Sequence, residues 1–175
     1  MKRVEFPIEE LLIRPCLLFG EGMVLAAGDF AAGRFNAMAI GWGSIGRVWG
    51  KPFAQVFVRP TRYTYEFMEK YNTFTIAAFP SNCRKAIDLL GTKSGREMDK
   101  VIAAGLTPEP SLRVAAPSFA EAELVIECRK IYFQDLNPAY FLADYIAPHY
   151  GRDYHRLYFG EILAVTGVKK YRHAE

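Results

Sequence analysis

Cysteine is scarce in this sequence, and the three that occur, Cys16, Cys83 and Cys128, stand far apart along 175 residues. None of them belongs to a C-x-x-C pair. An odd number at such spacing argues against a disulfide framework and against a cysteine-rich zinc site. We therefore expect a protein of the reducing cytoplasm.

Long apolar runs are missing as well. Glu5, Glu9, Glu10 and Arg14 interrupt the first positions of the chain, so no signal peptide is visible. The longest nearly uncharged stretch, residues 35–45, is too short to span a bilayer and contains two glycines. The expectation is a soluble chain that does not enter a membrane.

The sequence also lacks an excess of one charge, a metal-binding histidine pattern and a dinucleotide fingerprint. The 22 Lys and Arg residues nearly balance 19 Asp and Glu, and a net charge of +3 is too small to indicate nucleic-acid binding. The histidines, His149, His155 and His173, lack H-E-x-x-H spacing, so no metal site is predicted. No G-x-G-x-x-G follows a predicted strand, which argues against a built-in dinucleotide site.

Aromatic residues, by contrast, are abundant. Phe, Tyr and Trp make up 14% of the chain, and 51% of all residues are hydrophobic. A chain of this length buries roughly 70% of the surface that its unfolded form exposes, which is enough for a core without disulfides or metal ions. With no repeat or linker visible, we predict one domain over residues 1–175. The aromatic surplus needs a thick core, an interface or a flat ligand to cover it.

Strand-like segments dominate the chain. They are predicted at residues 16–19, 23–27, 35–42, 53–59, 74–79, 123–133, 140–150 and 158–168. A hairpin turn is predicted at Gly20-Glu21-Gly22. Many strands without regular strand-helix alternation favour a mainly β fold, an antiparallel barrel with short helices.

Three short helices are predicted among these strands. One runs from Thr64, as N-cap, to about Lys70. The second begins at a capping box formed by Ser94 and Glu97 and ends at Gly105. The third lies between residues 81 and 91.

The turn at residues 58–64, Val-Arg-Pro-Thr-Arg-Tyr-Thr, places two guanidinium groups and several hydroxyls before a helix start. Unpaired helix N–H groups and bidentate arginine donors are what a phosphate needs. An anion site and a capped helix with solvated arginines are both compatible with this pattern.

The segment at residues 36–46 contains three closely spaced glycines. Glycines weaken a strand, and close approach by a ligand or by another chain is one reason for them. The alternative is a bulged barrel strand with Trp42 packed in the core.

Several motifs together carry a resemblance to a known family. They are Asn36-Ala37-Met38 with Gly41-Trp42-Gly43, Lys51-Pro52, Arg59-Pro60-Thr61-Arg62-Tyr63-Thr64, Phe74-Thr75-Ile76, Gly91-x-x-Ser94-Gly95-Arg96, Asp99-Lys100, Gly105-Leu106-Thr107, Glu127-Cys128 and His155 before Gly160-Glu161-Ile162. In this order they resemble the flavoredoxin branch of the flavin reductase-like, FMN-binding split-barrel family.

The resemblance implies an antiparallel Greek-key split β-barrel, a homodimer, and one FMN per subunit near the dimer interface. By this resemblance Asn36, Ala37, Met38, Gly41, Trp42 and Gly43 line the isoalloxazine ring. Thr61, Arg62, Tyr63 and Thr64 hold the phosphate and ribityl chain, with Arg59 in support. Ser94, Arg96 and Lys100 are further candidates for the same phosphate or for the partner subunit's FMN.

Flavin carries the redox chemistry itself, so no side-chain nucleophile is required. His155 is the one catalytic candidate, because a group that titrates near neutrality can orient a nicotinamide or deliver a proton. Its alternative is an exposed loop histidine. Cys83, at a probable helix start, is either a stabilised thiolate or a small half-buried residue.

Three functions are compatible with the sequence. The first is an FMN-dependent oxidoreductase that takes electrons from NAD(P)H or from a redox protein. The second is a flavoredoxin-type electron carrier without its own substrate turnover, and the third is a cofactor-free binding module. Tyrosines and phenylalanines concentrate at residues 132–154, where they cover a cleft or build a dimer contact.

Overall fold

The computed structural model describes residues 2–173 as one curled sheet with helices packed outside it. The strands are β1 (Val4–Glu5), β2 (Met23–Asp29), β3 (Arg34–Ile40), β4 (Gly43–Val48), β5 (Lys51–Val58), β6 (Thr73–Ala78), β7 (Pro108–Glu109), β8 (Ser118–Phe119), β9 (Leu124–Asp135) and β10 (Arg156–Gly167). The α-helices are α1 (Pro15–Glu21), α2 (Tyr63–Lys70), α3 (Arg84–Thr92) and α4 (Lys100–Ala103).

The main sheet has the order β3-β2-β6-β9-β10-β5-β4, with β1 paired to β10 and every pair antiparallel. Strands β3 and β4 are consecutive in the chain but lie at opposite ends of this order. Only Gly41 and Trp42 join them, and two residues bridge about 11 Å at most. The sheet must therefore curl until its two edges nearly meet, so the predicted antiparallel split barrel is confirmed.

The sheet has two buried faces. The barrel interior is filled by one apolar cluster that includes Leu25, Phe74, Ile126 and Tyr158. A second cluster lies between the outside of the sheet and helices α3 and α4, with Leu90 and Val101 supplied by the helices. Strand β2 takes part in both clusters, which explains why its residues 23–28 are all buried.

Helices α3 and α4 lie on the β2 and β3 part of the outer sheet face, and aromatic side chains lie on its β5 and β10 part. Phe53 and Phe57 on β5 alternate with fully buried residues and point outward. Phe159 on β10 stacks on Phe53 at 5.6 Å, and Tyr132 and Trp49 extend the group edge to face. We call Trp49, Phe53, Tyr132 and Phe159 the outer aromatic patch.

The strand predicted at residues 16–19 is wrong, because this segment belongs to helix α1. Pro15 occupies its first turn, where a missing N–H costs nothing. The hairpin turn at Gly20-Glu21-Gly22 is wrong for the same reason: the helix runs to Glu21 and ends at Gly22, whose φ is 90°. A short apolar run does not distinguish a strand from a helix.

The strand predicted at residues 140–150 is also wrong. This part of the chain is a loop with 3₁₀ turns at Pro138–Tyr140 and Ala147–His149. Pro148 lies inside the predicted strand and cannot donate to a ladder. Tyr140, Leu142 and Tyr145 are exposed on the loop.

The remaining element predictions are mostly confirmed, with shifted ends. The segments at 23–27, 53–59, 74–79, 123–133 and 158–168 correspond to β2, β5, β6, β9 and β10. The segment at 35–42 ends as β3 at Ile40, and β4 had not been predicted. The helix between 81 and 91 is confirmed as α3, preceded by a 3₁₀ turn at Ser81–Cys83.

Two helix starts differ from the prediction. Helix α2 begins at Tyr63 with Arg62 as N-cap, so Thr64 lies inside the helix. The predicted capping box at Ser94 and Glu97 forms only a turn. The helix there begins later, at Lys100, because the Asp99 side chain accepts from the N–H groups of Val101 and Ile102. Among residues 2–173, no helix is both long and apolar enough to cross a bilayer.

Candidate functional site

A cavity of about 320 Å³ opens where the chain passes from β3 to β4. It is lined by Met38, Ala39, Ile40, Gly41, Trp42, Phe57, Arg59, Arg62 and His155. The strand ends β3 and β5, the start of α2 and the segment before β10 all converge here. We call it the aromatic cavity.

A smaller cavity of about 90 Å³ adjoins the first and shares Met38 and Arg62 with it. Its lining comes from Thr61–Thr64 at the start of α2, from Leu90–Ser94 at the end of α3, and from Lys100. We call it the cationic cavity. The two cavities adjoin at Met38 and Arg62, and we call the pair the groove, with an aromatic end and a cationic end.

Two cations meet in the cationic cavity. Lys100 is buried, and its Nζ donates to the carbonyl oxygens of Leu90 at 2.9 Å and Lys93 at 3.2 Å. Arg62 donates from Nη1 to the carbonyl of Gly91 at 3.3 Å. Burial, and then the neighbouring Arg62, lower the pKa of Lys100 to about 8.

Neither cation has a carboxylate partner among residues 2–173. An ammonium group has three N–H donors, and carbonyl groups take only two of those on Lys100. Two unneutralised cations beside the unpaired N–H groups of a helix start are the donor set of an anion site. This arrangement is compatible with an anion site at the turn 58–64, which stays a prediction.

Trp42 forms the aromatic end of the groove. It is 42% exposed and packs edge-on against Phe57, His149 and Tyr150, with the ring of His155 at 4.8 Å. The alternative in which Trp42 is packed in the core is therefore wrong. A half-exposed indole beside an open cavity offers a face on which a flat ring can stack.

His155 is buried beside Trp42, and its Nδ1 lies 2.9 Å from the hydroxyl oxygen of Tyr150. Burial, with Arg59 and Arg62, lowers its pKa to about 4, although Asp153 acts in the opposite direction. The expectation of a pKa near neutrality is wrong, and so is the alternative of an exposed loop histidine. At neutral pH this imidazole is uncharged.

Arg59 holds a loop rather than an open anion site. Its guanidinium bonds Asp153 at 3.1 Å and the carbonyl of His149 at 2.9 Å, and it lies over the ring of Tyr150 at 5.3 Å. Thr61 also donates to Asp153, at 3.4 Å. These contacts fasten residues 149–155 beside the aromatic cavity.

The predicted site residues fall into three groups, those that line the cationic cavity, those that line the aromatic cavity and those that line neither. Thr61, Arg62, Tyr63, Thr64, Ser94 and Lys100 line the cationic cavity, while Met38, Gly41, Trp42, Arg59, Arg62 and His155 line the aromatic cavity. Asn36, Ala37, Gly43 and Arg96 line neither. Asn36 is buried and donates to the Thr64 hydroxyl at 2.7 Å, and Ala37 packs in the outer core cluster. Arg96 bonds Glu66 at 2.6 Å and lies over the Tyr63 ring.

Gly43 has a packing reason of its own. A Cβ there would come within 2.4 Å of the Phe19 ring and 2.7 Å of the Gln55 carbonyl oxygen. The expected close approach to a glycine is therefore seen at Gly43, where Phe19 of helix α1 and the backbone of β5 leave no room for a side chain. Gly41, by contrast, has only the Phe19 carbonyl oxygen near, at 3.5 Å.

We predict that Gly43→Ala destabilises the fold by about 1.5 kcal/mol, because overpacking displaces the Phe19 ring. Urea denaturation measures the change. Gly41→Ala is the matched control and should leave stability within about 0.5 kcal/mol. Equal losses in both variants would contradict the assignment of the clash to Phe19.

Sequence reasoning missed Phe57 and Asp153, and it named Tyr150 only within the aromatic group at residues 132–154. The one signal that could have indicated Phe57 was its place on β5, where residues alternate between the two faces of the sheet and Phe57 falls on the outer face. Tyr150 lies in the segment wrongly predicted as a strand, and Asp153 lies just after it, where no element was predicted. Their partner Arg59 is more than ninety residues away in sequence. Cys83 was considered as a thiolate, but burial and then Glu121 and Glu123 raise its pKa, so that reading is wrong.

Comparison with known proteins matches most of the chain to one domain family. Residues 19–173 match the flavin reductase like domain family. An uncharacterised protein of Pyrococcus abyssi (strain GE5 / Orsay) is 31% identical over 132 residues, which are 75% of this chain and 65% of that protein. The chain thus spans less than two thirds of the length of this relative.

Two solved structures have the same fold. The flavoredoxin of Desulfovibrio vulgaris (Miyazaki F) is 26% identical, with a TM-score of 0.66 over 85% of this chain and 70% of that chain. An FMN-binding domain of a flavin reductases-like enzyme from Shewanella baltica OS155 is 16% identical, with a TM-score of 0.69 over 95% and 77%. At that identity the second similarity concerns the fold alone.

Proposed function

This chain belongs to the flavin reductase-like family, and we propose that it is a flavoprotein whose joined cavities hold one FMN. The observation that carries the proposal is the groove itself, which has a cationic end and an aromatic end. FMN has the same two ends, a phosphate and a flat ring. The match to the flavin reductase like domain and the similarity to a flavoredoxin support a flavin as the ligand, and the single cationic end fits the one phosphate of FMN.

In this proposal Arg62, Lys100 and the first N–H groups of α2 hold the phosphate, with Thr61 and Ser94 beside them. Trp42, Met38 and the backbone at Gly41 accept the ring. Tyr63 and Thr64, which line the cationic end, are placed against the phosphate and ribityl chain. Arg59 lines the aromatic end and fastens the loop at residues 149–155, whereas Asn36, Ala37, Gly43 and Arg96 line neither cavity.

Bound FMN supplies hydride or electron transfer, and the protein's part is to position and tune it. Buried Met38 and half-buried Phe57 beside it keep the ring's surroundings apolar. We propose NAD(P)H or a redox protein as the electron donor, which makes the chain an FMN-dependent oxidoreductase. A flavoredoxin-type carrier without its own turnover is the second candidate, and the 26% identity to a flavoredoxin favours it.

The first experiment is a titration of purified protein with FMN, followed by quenching of flavin fluorescence. Saturable binding supports the proposal, whereas a colourless protein that takes up no FMN contradicts it and leaves a cofactor-free binding module. Anaerobic addition of NADH or NADPH to the loaded protein then separates the two candidates. Rapid bleaching at 450 nm or so identifies an oxidoreductase, and reduction only by a protein donor identifies a carrier.

Lys100 should make FMN affinity depend on pH. Its pKa is about 8 in the flavin-free protein, and a phosphate dianion favours the charged ammonium. Binding therefore takes up a proton above pH 8, and affinity falls as pH rises. We expect a loss of about fivefold between pH 7 and pH 9, measured by fluorescence titration.

Lys100→Met tests the source of this dependence. The variant should bind FMN more weakly at pH 7 and lose the change between pH 7 and pH 9. Lys51→Met, at an exposed position on β5, is the control and should retain the wild-type profile. A pH dependence that survives in Lys100→Met would contradict the role of Lys100.

We also propose a homodimer formed through the outer aromatic patch. Part of the outer sheet face is covered by helices, whereas this part leaves Trp49 68% and Tyr132 43% exposed, and Trp49 lies at a turn where its φ is 48°. A bulky residue in that conformation is uncommon and strained. Phe57 lies on the same face of β5 as Phe53, so a second copy seated here adjoins the aromatic cavity.

Sedimentation velocity tests the homodimer. The wild type should sediment as a dimer at micromolar concentration, and Tyr132→Glu should shift it toward the monomer by at least tenfold in Kd, because a charge is buried without a partner. Tyr145→Glu, on the exposed loop, is the control. A wild-type monomer would refute the homodimer.

We further propose a cytoplasmic location, which the three unpaired cysteines support.

A further inference from the structure

Tyr150 and His155 form a hydrogen bond at the wall of the aromatic cavity. The Tyr150 hydroxyl oxygen lies 2.9 Å from Nδ1 of His155, and the two rings meet edge to face at 5.5 Å. Within residues 2–173 the hydroxyl has no other hydrogen-bond partner, and neither does Nε2 of His155. No fully buried side-chain polar atom of the described chain is left unpaired. Nε2 must therefore reach open space, and His155 lines the aromatic cavity.

The position of the Tyr150 ring is fixed from several sides. The Arg59 guanidinium lies 5.3 Å from its centre, Phe141 stacks on it at 5.9 Å, and Tyr154 packs at 5.2 Å. Arg59 is itself anchored by Asp153. The guanidinium and the two aromatic neighbours hold the ring in place, so the hydroxyl stays aimed at Nδ1.

We propose that Tyr150 is a positioning residue that fixes His155 in the tautomer with its proton on Nε2. The imidazole then presents a permanent hydrogen-bond donor to the flat molecule bound against Trp42. The acceptor it suits is a carbonyl oxygen on that molecule, from the flavin ring or from a nicotinamide carboxamide. The identity of the ligand rests on the proposed function, whereas the tautomer does not.

The donor and acceptor roles follow from counting protons. If the hydroxyl donates, Nδ1 must offer its lone pair, and a neutral imidazole then carries its proton on Nε2. In the opposite arrangement Nδ1–H donates, and the Tyr150 hydroxyl proton then has no acceptor among residues 2–173. Arg59, Arg62 and Asp153 are the charged groups that act on this ring, and their sum with burial keeps it neutral. His155 is therefore a donor of fixed geometry rather than a proton carrier at neutral pH.

Nuclear magnetic resonance of flavin-free protein with ¹⁵N-labelled histidine tests the tautomer. Long-range ¹H–¹⁵N correlations at pH 7 distinguish protonated from unprotonated ring nitrogens, and His155→Gln assigns the signals. We expect one neutral form with the proton on Nε2. In Tyr150→Phe the Nδ1 signal should shift downfield, because the nitrogen loses its donor. Tyr154→Phe, which removes a neighbouring hydroxyl, should leave it in place.

Three results would overturn the inference. They are a proton on Nδ1, an imidazolium at pH 7, and an Nδ1 signal that does not respond to Tyr150→Phe. Addition of FMN to the wild type separates this inference from the proposed function. Failure to bind FMN removes the proposed function and leaves the tautomer standing. Binding that does not move the Nε2 signal instead refutes the donor contact while the cofactor assignment stands.

Discussion

Replacing Arg62 with alanine is expected to weaken FMN binding at least tenfold. Arg62 and Met38 both line the two cavities. The Arg62 guanidinium lies beside Lys100 in the cationic cavity. Loss of a charge-assisted hydrogen bond costs about 1.5–3 kcal/mol, which is tenfold or more in Kd. Because Arg62 and Lys100 repel one another without an anion, some of this loss is offset in the free protein.

Fluorescence titration at pH 7 and low salt measures the effect. Arg84→Ala is the matched control, since Arg84 is an exposed arginine paired with Asp88 on helix α3. It removes the same charge away from the groove and should change Kd less than twofold. Arg96→Ala is a second comparison, because Arg96 is held by Glu66 outside both cavities. An Arg62→Ala protein with wild-type affinity would refute the phosphate site.

The sequence pointed to the residues of the proposed cofactor groove where its donors are local. Arg62, Tyr63 and Thr64 follow one another, and their arrangement depends only on a strand end, a proline turn and a helix start. Such local geometry is set by residues within a few positions of each other. The order of motifs along the chain then predicted the family, and with it the split barrel.

The sequence did not predict contacts that join distant segments. Asn36 was assigned to the flavin ring, but its amide is used within the protein, on Thr64. Arg59 was assigned to the phosphate site, but Asp153 takes its guanidinium. In both cases the partner lies on another element, and one sequence without a structure gives no register between them.

The pKa values depend on burial in the same way. His155 has an ordinary sequence neighbourhood, and only the folded chain places it under Trp42 and near two arginines. Lys100 lies four residues beyond Arg96 in sequence, and yet one is buried in the cationic cavity and the other is exposed. Residue type and spacing alone do not distinguish these two cations.

Removing the carboxylate of Glu127 is expected to destabilise the fold by about 3 kcal/mol. Glu127 was noted only as part of the family motif Glu127-Cys128. In the structure it is 2% exposed on β9, and its two carboxylate oxygens accept from the N–H groups of Leu112 at 2.8 Å and Arg113 at 2.6 Å. Hydrogen bonds to a charged group contribute about 1.5–3 kcal/mol each, and a buried cavity adds to the loss.

Urea denaturation of Glu127→Ala measures this loss, and Glu127→Gln should show about half of it, because an amide accepts one of the two bonds. Glu121 is the matched control. It also accepts with both oxygens from one backbone N–H, that of Thr107, but in a more exposed position. Water replaces those bonds when they are lost, so Glu121→Ala should cost less than about 1 kcal/mol. If the two alanine variants lose equal stability, burial is not what makes the Glu127 carboxylate important, and the loop at residues 110–117 is held by other contacts.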